Sequence, residues 1–265
     1  MTRPPDQDSD FPYWLLLLAG VGLYLFWQVV ANELYAQVLR TLVKGIGITI
    51  FVTVVSFALA SALGLALALA ALSHSIVLRQ IARTYVEVIR GIPIIVLLLY
   101  VAFVLAPAMV VAWNWLTSPA GFDPWRTRDF PLLWRAIIAL TIAYSAFLAE
   151  VFRAGLRSVD RGQIEAAQAL GLNGWQRFRH VVFPQAFRTI LPPLGNDFVA
   201  MVKDSSLVSV LGVSDITQLG KVTAAGNFRY FETYNVVALV YLTMTITLSL
   251  VLRRLERRMR GPEQR

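Results

Sequence analysis

The sequence predicts an all-α polytopic membrane protein, because its composition is strongly apolar and its apolar residues form long runs separated by basic clusters. Hydrophobic residues occupy 57% of the 265 positions and charged residues only 15%. A soluble domain is about 45–50% apolar and about 25% charged. Lipid rather than water is therefore expected to be the main solvent of this chain.

Six segments are apolar enough to be considered as membrane spans, each of which needs about 20 mainly apolar residues. The expected spans cover residues 11–31, 45–78, 91–122, 136–149, 188–212 and 233–252. The fourth is short and must extend past one of the charges that frame it. Pro107 is expected to mark the outer end of the third. No cleavage site of small residues follows the first segment, which is therefore interpreted as a retained span.

The orientation of the spans follows from the distribution of lysine and arginine, which favours cytoplasmic loops. The C-terminal tail and the connection between the fourth and fifth spans are the richest in arginine, and we place both in the cytoplasm. The expected outer loops contain fewer basic residues, namely Arg40, Lys44, Arg126, Arg128, Arg135, Lys221 and Arg229. Both chain ends are then cytoplasmic, and the net charge of +8 reflects membrane topology rather than nucleic-acid binding.

No catalytic or metal site is expected on this chain. Cysteine is absent, and His74 and His180 have no second ligand at metal-binding spacing. A phosphate-binding loop needs Gly, four residues and then Gly-Lys-Ser/Thr. The nearest candidate, at Gly220-Lys221, fails because positions 215 and 222 are Asp and Val. The chain is thus predicted to be a non-enzymatic subunit, and any ATPase must be a separate polypeptide.

The longest cytoplasmic connection contains signals for two short helices. Asp160 is a candidate N-cap, with Gln163 completing a capping box. Gly171 suits the left-handed position just past the first helix. Asn173 is a candidate cap for a second helix over residues 174–182, which Pro184 is expected to stop or kink. We expect a compact knob at the membrane surface.

The apolar surface of this knob is expected to come from Ile164, Ala167, Ala169 and Leu170, and its single charge from Glu165. Glu165-Ala166-Ala167, followed by Gly171 and then Pro184, resembles the EAA motif of permeases in binding-protein-dependent ABC importers. Flanking segments resemble the polar-amino-acid branch of that family: residues 85–93, 150–155, 184–188, 191–196 and 203–209.

The resemblance implies a type I ABC importer transmembrane domain over residues 41–254, with a five-helix core and a coupling loop at 155–184. Residues 12–40 would be an additional N-terminal span with its linker, and residues 1–11 and 255–265 would be cytoplasmic tails. The residues implied to contact the ATPase are Arg161, Glu165, Ala166, Ala167, Leu170 and Gly171.

The resemblance also implies the partners. These are a cytoplasmic ABC ATPase dimer that binds ATP and Mg, a second permease subunit (identical or related), and an extracytoplasmic amino-acid-binding protein. The implied location is the bacterial cytoplasmic membrane, where the chain is surrounded by lipid. The residues alone leave open a second function, that of an ion-coupled secondary transporter or channel, with Asp197 and Asp204 as the ion site. A structural membrane scaffold is a third interpretation.

Polar residues within the fifth predicted span are candidates for the substrate pathway. They are Asn196, Asp197, Lys203, Asp204 and Ser205. Charges within a membrane usually mark function or pairing, and an amino acid carries charges of both signs. A buried network that holds helices together is the alternative interpretation.

Further residues are expected to line the same cavity with less support, namely Asn114, Thr141, Tyr144 and Ser145. Two Glu/Arg pairs three residues apart are expected to form ion pairs at the ends of their helices. They are Glu87 with Arg90 and Glu150 with Arg153.

Overall fold

The computed structural model describes residues 13–259, and every regular element in that range is a helix. The α-helices are α1 (Tyr13–Ala31), α2 (Glu33–Leu72), α3 (Ile76–Gly91), α4 (Ile94–Tyr100), α5 (Ala106–Thr117), α6 (Leu132–Arg157), α7 (Arg161–Ala169), α8 (Gly174–Arg177), α9 (Phe183–Asp204), α10 (Ile216–Asn227) and α11 (Tyr230–Met259). Short 3₁₀ turns occupy Ser118–Ala120, Thr127–Asp129 and Ser205–Leu211. The predicted tail 1–11 and residues 260–265 of the basic tail lie outside the described range.

Four helical stretches in the described range are long and apolar enough to cross a membrane. They are Glu33–Leu72, Ile94–Ala120, Leu132–Arg157 and Tyr230–Leu255, and they confirm the second, third, fourth and sixth predicted spans. The first predicted span corresponds to α1, a helix of 19 residues that contains no charged side chain. The fifth corresponds to α9 and the following 3₁₀ turn, and α9 is not among the four.

The second predicted span has different boundaries in the structure. Arg40 and Lys44 lie inside α2 rather than in an outer loop, because Asn32 caps this helix and accepts a hydrogen bond from Leu34 N at 3.0 Å. The inner end comes at Leu72 instead of residue 78. There Arg79 of α3 donates to the carbonyl oxygens of Ser73 and His74, both at 2.9 Å, and satisfies groups at the helix terminus.

The centre of the fold is the packing of α2 against α6. Gly64 allows this close approach, because an added Cβ would lie 3.0 Å from Ala149 N and from Leu148 Cβ. Small residues at helix contacts are typical of membrane proteins, where backbones must approach closely. Ser56 adds a hydrogen bond across the same contact, from its Oγ to Ile137 O at 3.4 Å. This core fixes the end of α6 that leads into α7.

Pro107 does not end the third predicted span, as the sequence analysis expected. The helix continues to Thr117 through a π turn, Val101–Leu105, called here the first π turn. The Ala106 N–H donates to Val101 O, so the Ala102 carbonyl faces Pro107, which has no N–H to donate. Arg135 of α6 donates to this carbonyl from Nη1 at 3.0 Å. The wider turn and the arginine together accommodate the proline.

Pro184 likewise does not stop its helix. A second π turn, Phe178–Val182, joins α8 to α9, and the Phe183 N–H donates to Phe178 O. Helix α9 then passes through Pro192 and Pro193 and continues to Asp204. These two prolines therefore lie inside a helix rather than at the start of one. Residues 174–182, predicted as a second short helix, are instead the first part of a continuous helical segment that runs to the end of α9.

Candidate functional site

The coupling loop begins with a side-chain cap, as predicted. Asp160 Oδ1 accepts hydrogen bonds from Gly162 N at 2.7 Å and Gln163 N at 3.3 Å. The capping box is not completed, because the Gln163 side chain points elsewhere. Its Oε1 accepts a hydrogen bond from Gln185 Nε2. This contact links α7 to the start of α9. Gln163 therefore contacts a distant part of the chain, although it was expected to bond within its own helix.

The turn between α7 and α8 is fixed by backbone geometry. Gly171 has φ +78°, which confirms the predicted left-handed position. The Gly171 N–H donates to Gln168 O at 3.0 Å, and the Leu172 N–H donates to Ala167 O at 3.2 Å. These two bonds form a Schellman motif, which satisfies carbonyls at the end of α7. Arg177 Nη1 also donates to Gln168 Oε1 at 2.9 Å and braces the turn.

Helix α8 begins with the predicted cap, and here a capping box is complete. Asn173 Oδ1 accepts from Gln176 N at 2.9 Å, while Gln176 Oε1 accepts from Asn173 N at 2.9 Å. Each side chain thus satisfies a terminal N–H of the other residue. The coupling loop is held at the beginning of α7, at its end, and at the beginning of α8.

The surface that this loop presents is narrower than predicted. Leu170 has 82% of its surface exposed, and Arg161, Glu165, Ala166 and Gly171 are also exposed. Ala167 is only 4% exposed, so in this conformation it faces the protein rather than a partner. Half-buried Ile164 packs inward against the cluster of Val159, Ala186 and Ile190. The outward features are the Glu165 side chain on α7 and Leu170 directly after the end of this helix.

Four aromatic residues continue from this loop along α8 and α9, and the sequence analysis did not identify them. Their ring centroids are 5.9 Å apart for Trp175–Phe178, 5.9 Å for Phe178–Phe183 and 5.6 Å for Phe183–Phe187. The spacing of five between Phe178 and Phe183 spans the second π turn. A π turn takes more residues than an α turn, which keeps the rings adjacent. We call Trp175, Phe178, Phe183 and Phe187 the aromatic row.

The polar residues of the fifth predicted span fall into two groups. Asn196 and Lys203 are exposed, and Asp197 and Asp204 are half-buried, so these four are accessible in the isolated chain. Ser205 is fully buried, and its Oγ donates to Val202 O at 2.7 Å. Ser205 therefore contributes to helix packing in this structure.

Tyr144 is the one secondary candidate that the structure places beside these residues, because its hydroxyl donates to Asp204 Oδ2 at 2.7 Å. Ser145 Oγ donates to Ile142 O and lies 2.8 Å from Tyr85 Oη. Asn114 bonds both the N–H and the carbonyl of Trp125 at 2.8 Å, so it organises the loop after α5. Thr141 Oγ1 is buried and has no partner within residues 13–259.

One of the two predicted ion pairs forms. Glu150 and Arg153 are paired through Oε2 and Nη2. Glu87 and Arg90 are not paired in the described structure. The Arg90 guanidinium instead lies over the Phe147 ring, 5.7 Å from its centroid, because the ring offers a cation–π partner in the neighbouring helix.

A buried carboxylate at the beginning of α10 was missed by sequence reasoning. Asp215 has no exposed surface, and it accepts hydrogen bonds from Gln218 N at 2.8 Å and Tyr241 Oη at 3.1 Å. An added Cβ on Gly45 would come within 2.6 Å of Ile216 N, so α2 contacts this helix start directly. A capping signal at Asp215 was visible in the sequence, but its contact with Tyr241 joins elements distant in the chain.

No group of three or more His, Asp or Glu side chains that could hold a metal ion occurs within residues 13–259. The segment that failed as a phosphate loop forms α10, and Lys221 Nζ there donates to Ser209 Oγ at 2.9 Å. The site is therefore a capped, outward-facing loop at one end of α6 and α9, together with half-buried polar groups farther along α9.

Two relatives are similar to this chain in sequence over most of their length. The glutamine transport system permease protein GlnP of Escherichia coli (strain K12) is 36% identical over 219 residues, covering 83% of this chain and 93% of GlnP. The probable amino-acid permease protein YxeN of Bacillus subtilis (strain 168) is 36% identical over 230 residues, covering 87% of this chain and 96% of YxeN.

Solved structures agree with this fold. A subunit in the crystal structure of an amino acid ABC transporter with histidines is 35% identical, with a TM-score of 0.69 over 83% of this chain and 94% of that subunit. A chain of the MetNI methionine ABC transporter in an inward-facing conformation has a TM-score of 0.64 at 21% identity, covering 84% of this chain and 97% of that one, which shows the fold alone. The described helices thus form a type I ABC importer transmembrane domain.

The family model for the inner membrane component of binding-protein-dependent transport systems matches residues 60–261. This segment contains the coupling loop, the aromatic row, the polar residues of α9 and three of the four long apolar stretches. The match favours an ATP-driven importer permease over the ion-coupled carrier or channel considered from the residues alone. The chain therefore belongs to the binding-protein-dependent transport system inner membrane components, as a multi-pass inner-membrane permease subunit.

Proposed function

We propose that this permease imports a polar amino acid and that the coupling loop docks on a separate ATPase. The observation that carries the proposal is the exposure of Leu170 and Glu165 on a loop whose helices are capped by Asp160, Gly171 and Asn173. An exposed apolar side chain beside a charge, on a rigid support, suits insertion into a groove of a partner. The glutamine and amino-acid permeases among the relatives support the substrate class.

The contacts of the loop suggest how ATP-driven movement reaches the membrane. Gln163 of α7 is bonded to Gln185 of α9, and Arg177 of α8 is bonded to Gln168 of α7. The loop and α9 are thus joined by side chains as well as by the backbone. When the partner ATPase closes on ATP and Mg, a force on α7 is passed to α9, which carries Asp197 and Asp204. The transported molecule is released when this helix moves.

The remaining partners follow from the same reasoning. A single chain exposes polar residues of α9 rather than enclosing them, because Asn196 and Lys203 are exposed and Asp197 and Asp204 are half-buried. A second permease subunit, identical or related, completes the pathway around them. Two ATPase subunits bind below, and an extracytoplasmic binding protein delivers the amino acid. The Lys203 ammonium and the two carboxylates supply partners for the carboxylate and ammonium of such a substrate.

The docking role is tested by reversing the charge of the knob. We expect Glu165→Lys to reduce copurification of the ATPase and ATP-driven uptake by about tenfold or more, because a reversed charge at an interface is strongly repelled. Glu33→Lys is the matched control, since this exposed glutamate begins α2, far along the chain from the loop. Gly171→Val should act like Glu165→Lys, because valine disfavours φ +78°. Normal uptake by both loop variants would contradict the docking role.

The energy source is tested in proteoliposomes that contain the permease with its ATPase and binding protein. We expect uptake of labelled polar amino acids to require ATP inside the vesicles and to be unaffected by collapsing ion gradients. Uptake that persists without ATP and follows an ion gradient would contradict the proposal. Competition among unlabelled amino acids in the same vesicles identifies the substrate.

A further inference from the structure

A cavity of about 300 Å³ lies between α2, α3 and α6, next to the point where α6 leads into the coupling loop. This volume is at the lower end of the range for small-molecule sites, about 300–1,000 Å³. One wall is apolar and includes Ala71, Ala82 and Val86. The other wall is charged, and none of the roles assigned above uses it.

The charged wall has an excess of positive charge and unused hydrogen-bond donors. It is formed by Arg83, Arg153, Arg157, Glu87 and Glu150, so three guanidinium groups face two carboxylates. Arg153 is neutralised by its ion pair with Glu150. Within residues 13–259, neither Arg83 nor Arg157 makes a hydrogen bond or an ion pair. Two arginines facing one cavity can hold a phosphate group through paired N–H donors.

Helix α3 places this cavity at the level of the membrane surface. Val77, Ile81 and Val88 share one face by their helical spacing, and each has more than half of its surface exposed. Ala82 and Val86 are buried, while Arg83 and Glu87 line the cavity. A helix with separate apolar and basic faces lies in the interface between lipid tails and headgroups. The cavity therefore opens where lipid phosphates are found.

We propose that this cavity binds the phosphate headgroup of an anionic membrane lipid. Arg83 and Arg157 donate to the phosphate oxygens, Glu87 accepts from a headgroup hydroxyl, and the acyl chains lie along Val77 and Ile81. Basic pockets between membrane helices bind anionic headgroups in this way. Arg157 is three residues before Asp160, the cap of α7, so an occupied cavity holds the base of the coupling loop in place.

The proposal is tested on the full-length chain in mild detergent by native mass spectrometry. Phosphatidylglycerol and phosphatidylcholine are titrated separately, and the fraction of protein that retains each lipid is measured. We expect phosphatidylglycerol to be retained at about tenfold lower concentration than phosphatidylcholine. The double variant Arg83→Gln/Arg157→Gln should lose about tenfold or more of this affinity. Equal retention of the two lipids would overturn the proposal.

Two further variants distinguish lipid binding in this cavity from general attraction between anionic lipid and exposed basic residues. Arg253→Gln/Arg254→Gln removes the same charge from the exposed end of α11 and should change affinity less than about twofold. Ala71→Leu keeps all charges but fills the cavity, and should weaken phosphatidylglycerol retention as the cavity double variant does. Equal losses from both arginine pairs, with none from Ala71→Leu, would show surface attraction and overturn the site.

Soluble competitors distinguish the source of the phosphate. Glycerol phosphate, inorganic phosphate and free amino acids are added to the protein carrying phosphatidylglycerol. We expect none of them to displace the lipid at concentrations up to about a hundredfold above the lipid, because they lack acyl chains and the apolar burial these provide. Displacement by a soluble phosphate or by an amino acid would assign the cavity to that ligand and overturn the lipid proposal.

Discussion

Two helices of this protein pass through a proline by the same backbone device but in different surroundings. Pro107 follows the first π turn and Pro184 follows the second, and each proline leaves one carbonyl of the preceding turn without its helical donor. At the first turn this is Ala102 O, which accepts from buried Arg135. At the second it is Arg179 O, to which no side chain within residues 13–259 donates.

The difference separates a bend whose spare carbonyl is held by a buried arginine, called here the locked bend, from one whose spare carbonyl has no side-chain donor within residues 13–259, called the unlocked bend. The second π turn does have another side-chain bond, from Gln185 Nε2 to Val181 O at 3.0 Å. Arg135 is 5% exposed, and it also donates to Phe130 O from Nε at 3.0 Å and to Thr127 O. The first bend is thus locked to α6 and to the loop before it. The second bend lies beside the coupling loop, where Arg179 is exposed and water can satisfy the free carbonyl. The unlocked bend suits the proposed passage of movement from the coupling loop to α9.

The largest expected effect comes from unlocking the first bend. Arg135→Gln removes the side-chain donor of the buried Ala102 carbonyl and of the part-buried Phe130 and Thr127 carbonyls. A buried acceptor without a donor costs about 1–3 kcal/mol, and the two part-buried contacts add to this cost. We expect the free energy of unfolding to fall by about 3 kcal/mol, and the melting temperature in detergent by roughly 6 °C or more. Arg179→Gln is the control at the second bend and should shift melting by less than about 1 °C. Similar shifts for the two variants would show that the first bend is not locked.

A smaller effect is expected when Pro107 is replaced in a chain that already carries Arg135→Gln. Pro107→Ala restores an N–H five residues after Ala102, which can donate to the carbonyl that Arg135 otherwise satisfies. In the Arg135→Gln background, we expect this change to recover about 1.5 kcal/mol of unfolding free energy. In the unmodified chain it should recover little, since the carbonyl already has a donor. Thermal melting of the four proteins of this cycle measures the coupling, and additive effects would contradict the shared carbonyl.

The parts of the fold that the sequence predicted depend on short-range signals. Long apolar runs predicted four spans that the structure confirms, and caps at Asp160, Gly171 and Asn173 lie where spacing placed them. The span end predicted at Pro107 was wrong, and of the two outcomes predicted at Pro184, a stop or a kink, the stop does not occur. A π turn accommodates a proline when a neighbouring donor or water satisfies the spare carbonyl. Whether such a donor exists depends on tertiary contacts, which spacing along the chain does not contain.

The candidate site shows the same limit. Charge counting placed Arg135 in an outer loop, whereas its guanidinium is buried against the first π turn and the loop before α6. Asp215 was noted only as a failed phosphate-loop residue, yet it is buried beside Tyr241. Ala167 was assigned to the docking surface from its motif, but it is buried in the structure. The roles of Glu165 and of the polar residues of α9 stay predictions, because they depend on partners outside this chain.

A third prediction concerns the loop beside the unlocked bend. Asp160→Ala removes the acceptor for two N–H groups of α7 and should cost about 1 kcal/mol. Unlike Arg135→Gln, this substitution should destabilise α7 without destabilising the whole fold. We expect hydrogen exchange of the α7 amides to accelerate about fivefold, while global melting changes little. Asp160→Asn is the matched control, because asparagine is an equally good cap. An equal fall in global melting would place α7 inside the cooperative core instead.

The smallest expected effect is that of Pro184→Ala at the second bend. The carbonyl that this proline leaves free is that of Arg179, an exposed residue, so a restored N–H replaces a bond to water and the net gain is small. We expect the free energy of unfolding to change by less than about 0.5 kcal/mol. The shape of the bend should nevertheless change, because a regular helix would turn Phe178 out of line with Phe183. Melting and ATP-driven uptake measured together check this: stability is retained and uptake falls. A loss of stability as large as that of Arg135→Gln would show that the second bend is locked as well.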